Sequence, residues 1–186
     1  MILPIVAFGA PILRKRCIKV TQDYPDLDIL IENMWETMYA AHGVGLAAPQ
    51  INKGIRLFII NTTPFVEDEE ETEKIILKQA FINARILEKT GEEWNFNEGC
   101  LSIPDVREDI SRKPSITIEY MDENFKKHIE TYDGLRARVI QHEYDHIDGI
   151  LFTDKLSALR KRMIKGKLMD ISKGKVDVSY KMRFSR

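Results

Sequence analysis

DGLRARVIQHEYDHIDG, Asp133 to Gly149, is the stretch on which the reading of this chain turns. Asp133 is a good N-cap residue and Gly149 a good C′ glycine, so the segment between them is predicted to be one helix. Inside it His142 and His146 stand four apart with Glu143 between them. Residues at i and i+4 share a helix face, with Cβ atoms roughly 5 to 6 Å apart, so two imidazoles can converge on one cation. Glu143 would then reach a water beside that cation. Leu135, Val139, His142, Glu143 and His146 form the predicted inward face. Taken alone, the same spacing also suits two histidines hydrogen-bonded within a core.

Outward from this helix, DYPDLDILIENMWETMYAAHG, from Asp23, carries Leu27, Leu30, Ile31, Met34, Met38 and Ala41 at amphipathic-helix spacing, ending near Gly43. Ile55 to Asn61, Ile75 to Lys89 and Ser115 to Asp122 are rich in β-branched and aromatic residues and read as strands, with KKHIETY returning as a hairpin. The like-charge run Glu67 to Glu73 reads as a solvated loop. Ser157 caps a helix expected to reach about Ile164, within a basic stretch from Lys155 to Lys175. Val176, Val178, Tyr180, Met182 and Phe184 alternate with polar residues, which predicts a half-buried C-terminal strand added to the core sheet. The fold class is therefore α+β, with mixed or antiparallel sheets around a central helix bearing HExxH, in one domain spanning 1–186.

The 186 residues, 44% hydrophobic, suffice for a single buried core. Lys plus Arg total 28 against 29 Asp plus Glu, so there is no global drive toward DNA or an anionic membrane. No apolar run is long enough for a transmembrane helix, and the N-terminus does not read as a signal peptide. Cys17 and Cys100 are too few for a secreted disulfide framework. A cytoplasmic setting is expected, in which Cys100 is a candidate ligand or nucleophile.

A metal site on the central helix needs a third ligand. In one zinc protease pattern a histidine follows six residues after the second, but Phe152 stands there. The arrangement with a downstream glutamate is absent too, since no Glu follows Glu143. The ligand must come from upstream, where NEGCLS, Asn97 to Ser102, offers Cys100 after a glycine. A thiolate and two imidazoles leave one tetrahedral position open, the catalytic form of such a site. GVGLAAPQ, Gly43 to Gln50, adds two glycines that let backbone approach a ligand and, in Gln50, an amide donor for an oxyanion. By itself that stretch is equally an ordinary helix-to-strand loop.

GVGLAAPQ, EGCLS and QHEYDH, in this order and at these separations, resemble the three motifs of the peptide deformylases. FGAPILRK, with Ala10 where the family favours aspartate, FINARIL, and DGLRARVIQHEYDHIDGILF extend the likeness over nearly all of residues 4 to 155. The resemblance implies a hydrolase that removes the formyl group from N-formylmethionyl nascent peptides. It implies that Cys100, His142 and His146 bind one divalent ion, Fe²⁺ natively and Zn²⁺ or Ni²⁺ in preparations. Glu143 would be the base, with Gln50 and the Leu101 N–H stabilising charge on the formyl oxygen. Val44, Leu135, Val139 and the His142 ring correspond to the methionine pocket. Arg138 stands where relatives often carry an aliphatic residue, and either narrows that pocket or snorkels away from it. Gly45 and Arg107 would hold the peptide backbone, and Glu98 and Arg112 match a supporting ion pair. Asp145 is read as structural and His42 as a rim residue. The basic Lys155 to Lys175 stretch suits either a transient ribosome contact or a solvated helical face.

Overall fold

The computed structural model describes residues 1–65 and 76–184. The acidic run at 67–73 and Ile75 lie outside the described residues. The architecture is α+β. Strands β1 (Ile5–Val6), β2 (Gly45–Ala47), β3 (Leu57–Asn61), β4 (Lys78–Thr90), β5 (Trp94–Cys100), β6 (Ile103–Arg112), β7 (Ser115–Met121), β8 (Lys127–Asp133) and β9 (Met182–Arg183) interleave with helices α1 (Leu27–Ala40), α2 (Gly134–Ile147) and α3 (Ala158–Ser172).

Five strands form an antiparallel sheet in the order β2-β3-β4-β7-β8. Its centre is buried on both faces, which is why LFII in β3 is continuously apolar rather than alternating. Leu57 and Ile59 face the α1 side, packing with Leu30, Met34 and Met38. Phe58 and Ile60 face the α2 side, with Phe81, Ile118, Val139, Ile140 and Ile147. Successive strand residues point to opposite faces, so one strand feeds two cores. The expected α1 stripe is buried, although the helix begins at Leu27 rather than Asp23.

A third core lies under the separate β5–β6 hairpin, where Val6, Leu13, Ile103, Val106, Ile110, Phe152, Ile164 and Ile171 meet. Here α3 runs on to Ser172, eight residues beyond the expected end at Ile164. Ile164, Leu168 and Ile171 continue the helical spacing, and Arg160 bonds Glu108 through Nε and Nη2 at 2.7 and 2.8 Å. Ser157 caps the helix by accepting from the Arg160 N–H.

The C-terminal segment differs from expectation. Its alternation is present as burial, with Val176, Val178, Tyr180, Met182 and Phe184 half-buried and the residues between them exposed. Among the described residues, ladder pairing of this segment is confined to Met182–Arg183, which run parallel to β1 and do not join the five-stranded sheet. The partner is short: Pro4 has no N–H, and the chain turns at Gly9 with φ +94°.

Candidate metal centre and active site

Three chain segments build the site. Helix α2 brings His142, Glu143 and His146, the end of β5 brings Cys100, and the turn after β2 brings Gln50. The ligand atoms of Cys100, His142 and His146 lie within 4.8 Å of one another, and Cys100 Sγ is 3.3 Å from His146 Nε2. A tetrahedral ion with typical Zn–S and Zn–N bonds needs that separation to be about 3.5 Å. The donor set and the Cys100–His146 spacing therefore suit a divalent ion.

Gln50 is oriented by its own backbone. Its Oε1 accepts from the Ala47 N–H at 2.8 Å, which fixes the amide so that Nε2 faces Cys100 Sγ at 3.5 Å and Ser102 Oγ at 3.3 Å. Gly45 is required for a different reason. A Cβ there would overlap the Glu143 carboxylate. Glu143 is buried, and its Oε2 has no hydrogen-bond partner among the described residues. Burial pushes its carboxyl up to about 7, against the opposing charge of His142.

Behind the ligands lies a buried charge cluster centred on Glu98. Its carboxylate accepts from His142 Nδ1 at 3.0 Å, from Arg112 at 2.7 and 2.9 Å and from Arg138 at 3.1 Å. Burial alone would raise the Glu98 carboxyl, but the bonds from His142 and Arg112 outweigh it and hold it well below the usual carboxylate range. With Nδ1 committed to Glu98, His142 presents Nε2 to the site. Arg112 also bonds Asp145 at 2.6 Å, so Asp145 serves this scaffold rather than the metal.

The site opens into a cleft of about 580 Å³ lined by Val44, Gly45, Gln50, Cys100, Leu101, Arg107, Val139, His142 and Glu143, among others. Leu135 is not among the lining residues; it is half-buried in the first turn of α2, two turns before His142. Arg138 also lines the cleft, and its side chain is buried. Its guanidinium stacks 4.4 Å above the Trp94 ring and donates to the carbonyls of Ile110 and Trp94 at 2.9 and 2.7 Å. The head does not reach water, so it does not snorkel; it is engaged by Glu98, two carbonyls and the Trp94 ring. Arg107 lies at the rim with Nε on Asn97 Oδ1 at 2.8 Å. His42 lines the rim and is exposed.

Two contributors had no motif. Trp94 and Phe96 of β5 stack with the Arg138 head, and Asp177, Val178, Ser179 and Tyr180 form a wall of the cleft. The alternation in the C-terminal segment was the available signal for Val178 and Tyr180. It indicated a buried side without indicating what that side faces.

The model of the polypeptide deformylase family matches residues 2–162. The chain belongs to that family. A peptide deformylase of Christiangramia forsetii is 64% identical over 189 residues, covering 99% of this chain and 96% of the relative. That of Flavobacterium johnsoniae is 58% identical, covering 100% and 97%. Among solved structures, Plasmodium falciparum peptide deformylase is 34% identical with a TM-score of 0.81, covering 91% of this chain and 95% of that one. The Thermotoga maritima enzyme is 38% identical with a TM-score of 0.75, covering 84% and 99%. Membership makes the chain a hydrolase that removes the N-formyl group from newly made polypeptides, with a single divalent metal as cofactor.

Proposed function

We propose that deformylation is carried out by Glu143, Gln50 and Leu101 around an ion held by Cys100, His142 and His146. The observation that carries this reading is Glu143 Oε2, a buried carboxylate oxygen beside the Cys/His/His cluster with no partner among the described residues. A buried acceptor left open costs roughly 1–3 kcal/mol or more, a cost expected where the group must bind a reacting molecule. The ion is Fe²⁺ natively, and a thiolate with two imidazoles accepts Zn²⁺ or Ni²⁺ as well. Such an ion supplies Lewis acidity, polarising the formyl carbonyl and acidifying water.

Glu143 takes a proton from the attacking water as its oxygen bonds to the formyl carbon. The same carboxyl returns that proton to the nitrogen as the C–N bond breaks, giving formate and a free N-terminal methionine. Gln50 Nε2 and the Leu101 N–H face the charge that develops on the formyl oxygen. Removing one such donor costs on the order of 3 kcal/mol of barrier.

Val44, Val139 and the His142 ring make the methionine pocket. Arg138 lines the cleft beside them, its guanidinium held by Glu98 and the Trp94 ring. Gly45 and Arg107 hold the peptide extended, and Arg107 would leave Asn97 to do so. Residues 1–186 act as one catalytic domain in the cytoplasm. The exposed Lys161, Arg162, Lys165 and Lys167 of α3 suit a transient contact with ribosomal RNA. Among the described residues, no helix is long and apolar enough to cross a membrane.

The test is formate release from formyl-Met-Ala-Ser by protein purified without oxygen, beside formyl-Asp-Ala-Ser. Release from the first and at least a hundredfold less from the second is expected. Equal rates would refute the apolar pocket, and no release from either would refute the assignment of the catalytic groups.

A further inference from the structure

The loop that carries Cys100 and Leu101 is braced from behind by the two ends of the chain. The Phe8 N–H donates to the Ser102 carbonyl at 2.8 Å, and the Tyr180 hydroxyl donates to the Leu101 carbonyl at 2.8 Å. The ends are themselves tied together: the N–H groups of Ile5 and Ala7 donate to the carbonyls of Lys181 and Arg183, each at 2.9 Å. The segment reaches this place because α3 is anchored in the third core and the chain reverses at Gly174, φ +75°, where Phe184 packs on the bare Cα. On the opposite side Gly43 makes room for the Leu101 side chain, since a Cβ there would sit 2.8 Å from Leu101 Cδ1. Leu101 is thus gripped through its side chain by one segment and through its carbonyl by another.

We propose that Tyr180 is a positioning residue of the active site, whose hydroxyl, by holding the Leu101 carbonyl, fixes the orientation of the Cys100–Ser102 loop. This rests on the reading of Leu101 as the second oxyanion donor. A donor that stabilises a transition state must stand within a few tenths of an ångström of its place before the reaction begins. Two of the fastenings of this loop, Gln50 on Ser102 and Phe8 on Ser102, act one residue later. Tyr180 fastens the Leu101 carbonyl itself, and it comes from a segment that carries none of the family motifs. The half-buried ring packs against the α1-side core, so the hydroxyl can be removed while the ring keeps its contacts.

The test is Tyr180→Phe, loaded with the same metal as wild type. Four measurements are made: metal content, melting temperature, steady-state kinetics on formyl-Met-Ala-Ser, and amide hydrogen exchange of the peptide covering residues 100–102. Loss of one hydrogen bond to a positioned group predicts a fall in kcat of about five- to tenfold with KM changed less than about twofold. Exchange in 100–102 should rise severalfold, while metal content stays at wild-type level. Unchanged kcat and unchanged exchange would overturn the proposal. So would a loss of activity fully explained by lost metal or by a general rise in exchange across the third core. Faster exchange in 100–102 with unchanged kcat would show the loop fastened by Tyr180 but would remove Leu101 from the catalytic reading, which separates the two claims.

Discussion

Glu98 Oε2 lies 3.0 Å from His142 Nδ1, and this contact determines which nitrogen of the imidazole is free to face Cys100. The same carboxylate takes both arms of the Arg112 fork, so the metal-ligating face of α2 is tied to the β5–β6 hairpin through one buried acid.

Glu98→Gln should therefore weaken metal binding without unfolding the protein. The amide keeps the shape but loses the charge that fixes the His142 tautomer, and such supporting groups are worth about 10- to 100-fold in metal affinity. Competition with a chelator at fixed pH measures it. An unchanged apparent affinity would mean that His142 is oriented by α2 packing alone.

Arg112→Leu should be more damaging to the fold. Arg112 is 4% exposed and neutralises Glu98 and Asp145 together, so removing it strands buried charge. Breaking such a group costs about 3–5 kcal/mol. Urea unfolding is the measurement, and a loss below about 1 kcal/mol would refute the cluster as a structural element.

Gly45→Ala should abolish turnover more than it lowers stability. The added methyl meets the Glu143 carboxylate and must displace it from its place beside Gly45. Overpacking costs typically 1–3 kcal/mol, while a displaced base costs orders of magnitude in rate. A variant with wild-type kcat would show that Glu143 works from another position.

Cys17 gives the pH prediction. Burial pushes its thiol from an ordinary value of 9.0 up to about 11, with Arg56 opposing. The folded state favours the protonated thiol, so this contribution is fully present below pH 9 and is lost as pH rises from 9 to 11. Wild type should lose up to about 2–3 kcal/mol more than Cys17→Ala across that window. Parallel stability curves for the two proteins would contradict it.

The central helix was legible because its boundaries and ligands are short-range signals: Asp133 and Gly149 frame it, although the Asp133 side chain makes no capping bond, and the i, i+4 histidines need no tertiary information. The α1 stripe and β3 were legible for the same reason. The β5–β6 hairpin is not legible in the same way. IPDVREDISR buries Val106 and Ile110 but also Glu108 and Arg112, on the same side, so its inner face looks polar. Those charges are inside because Arg160 and Glu98 meet them, and such partners lie far away in sequence. The extension of α3 and the place of Tyr180 were hidden likewise, since both depend on what the third core and the cleft present to them. Leu135 illustrates the converse: it shares a helix face with His142 by periodicity, yet the cleft does not extend two turns to meet it.

The measurement that bears most directly on the account is formate release from formyl-Met-Ala-Ser by wild type and by Glu143→Ala, with bound metal quantified in both. Rapid release by wild type and a fall of at least a thousandfold in a variant that still holds its metal is the predicted result. Comparable release by metal-loaded Glu143→Ala would contradict the assignment of Glu143 as the proton carrier.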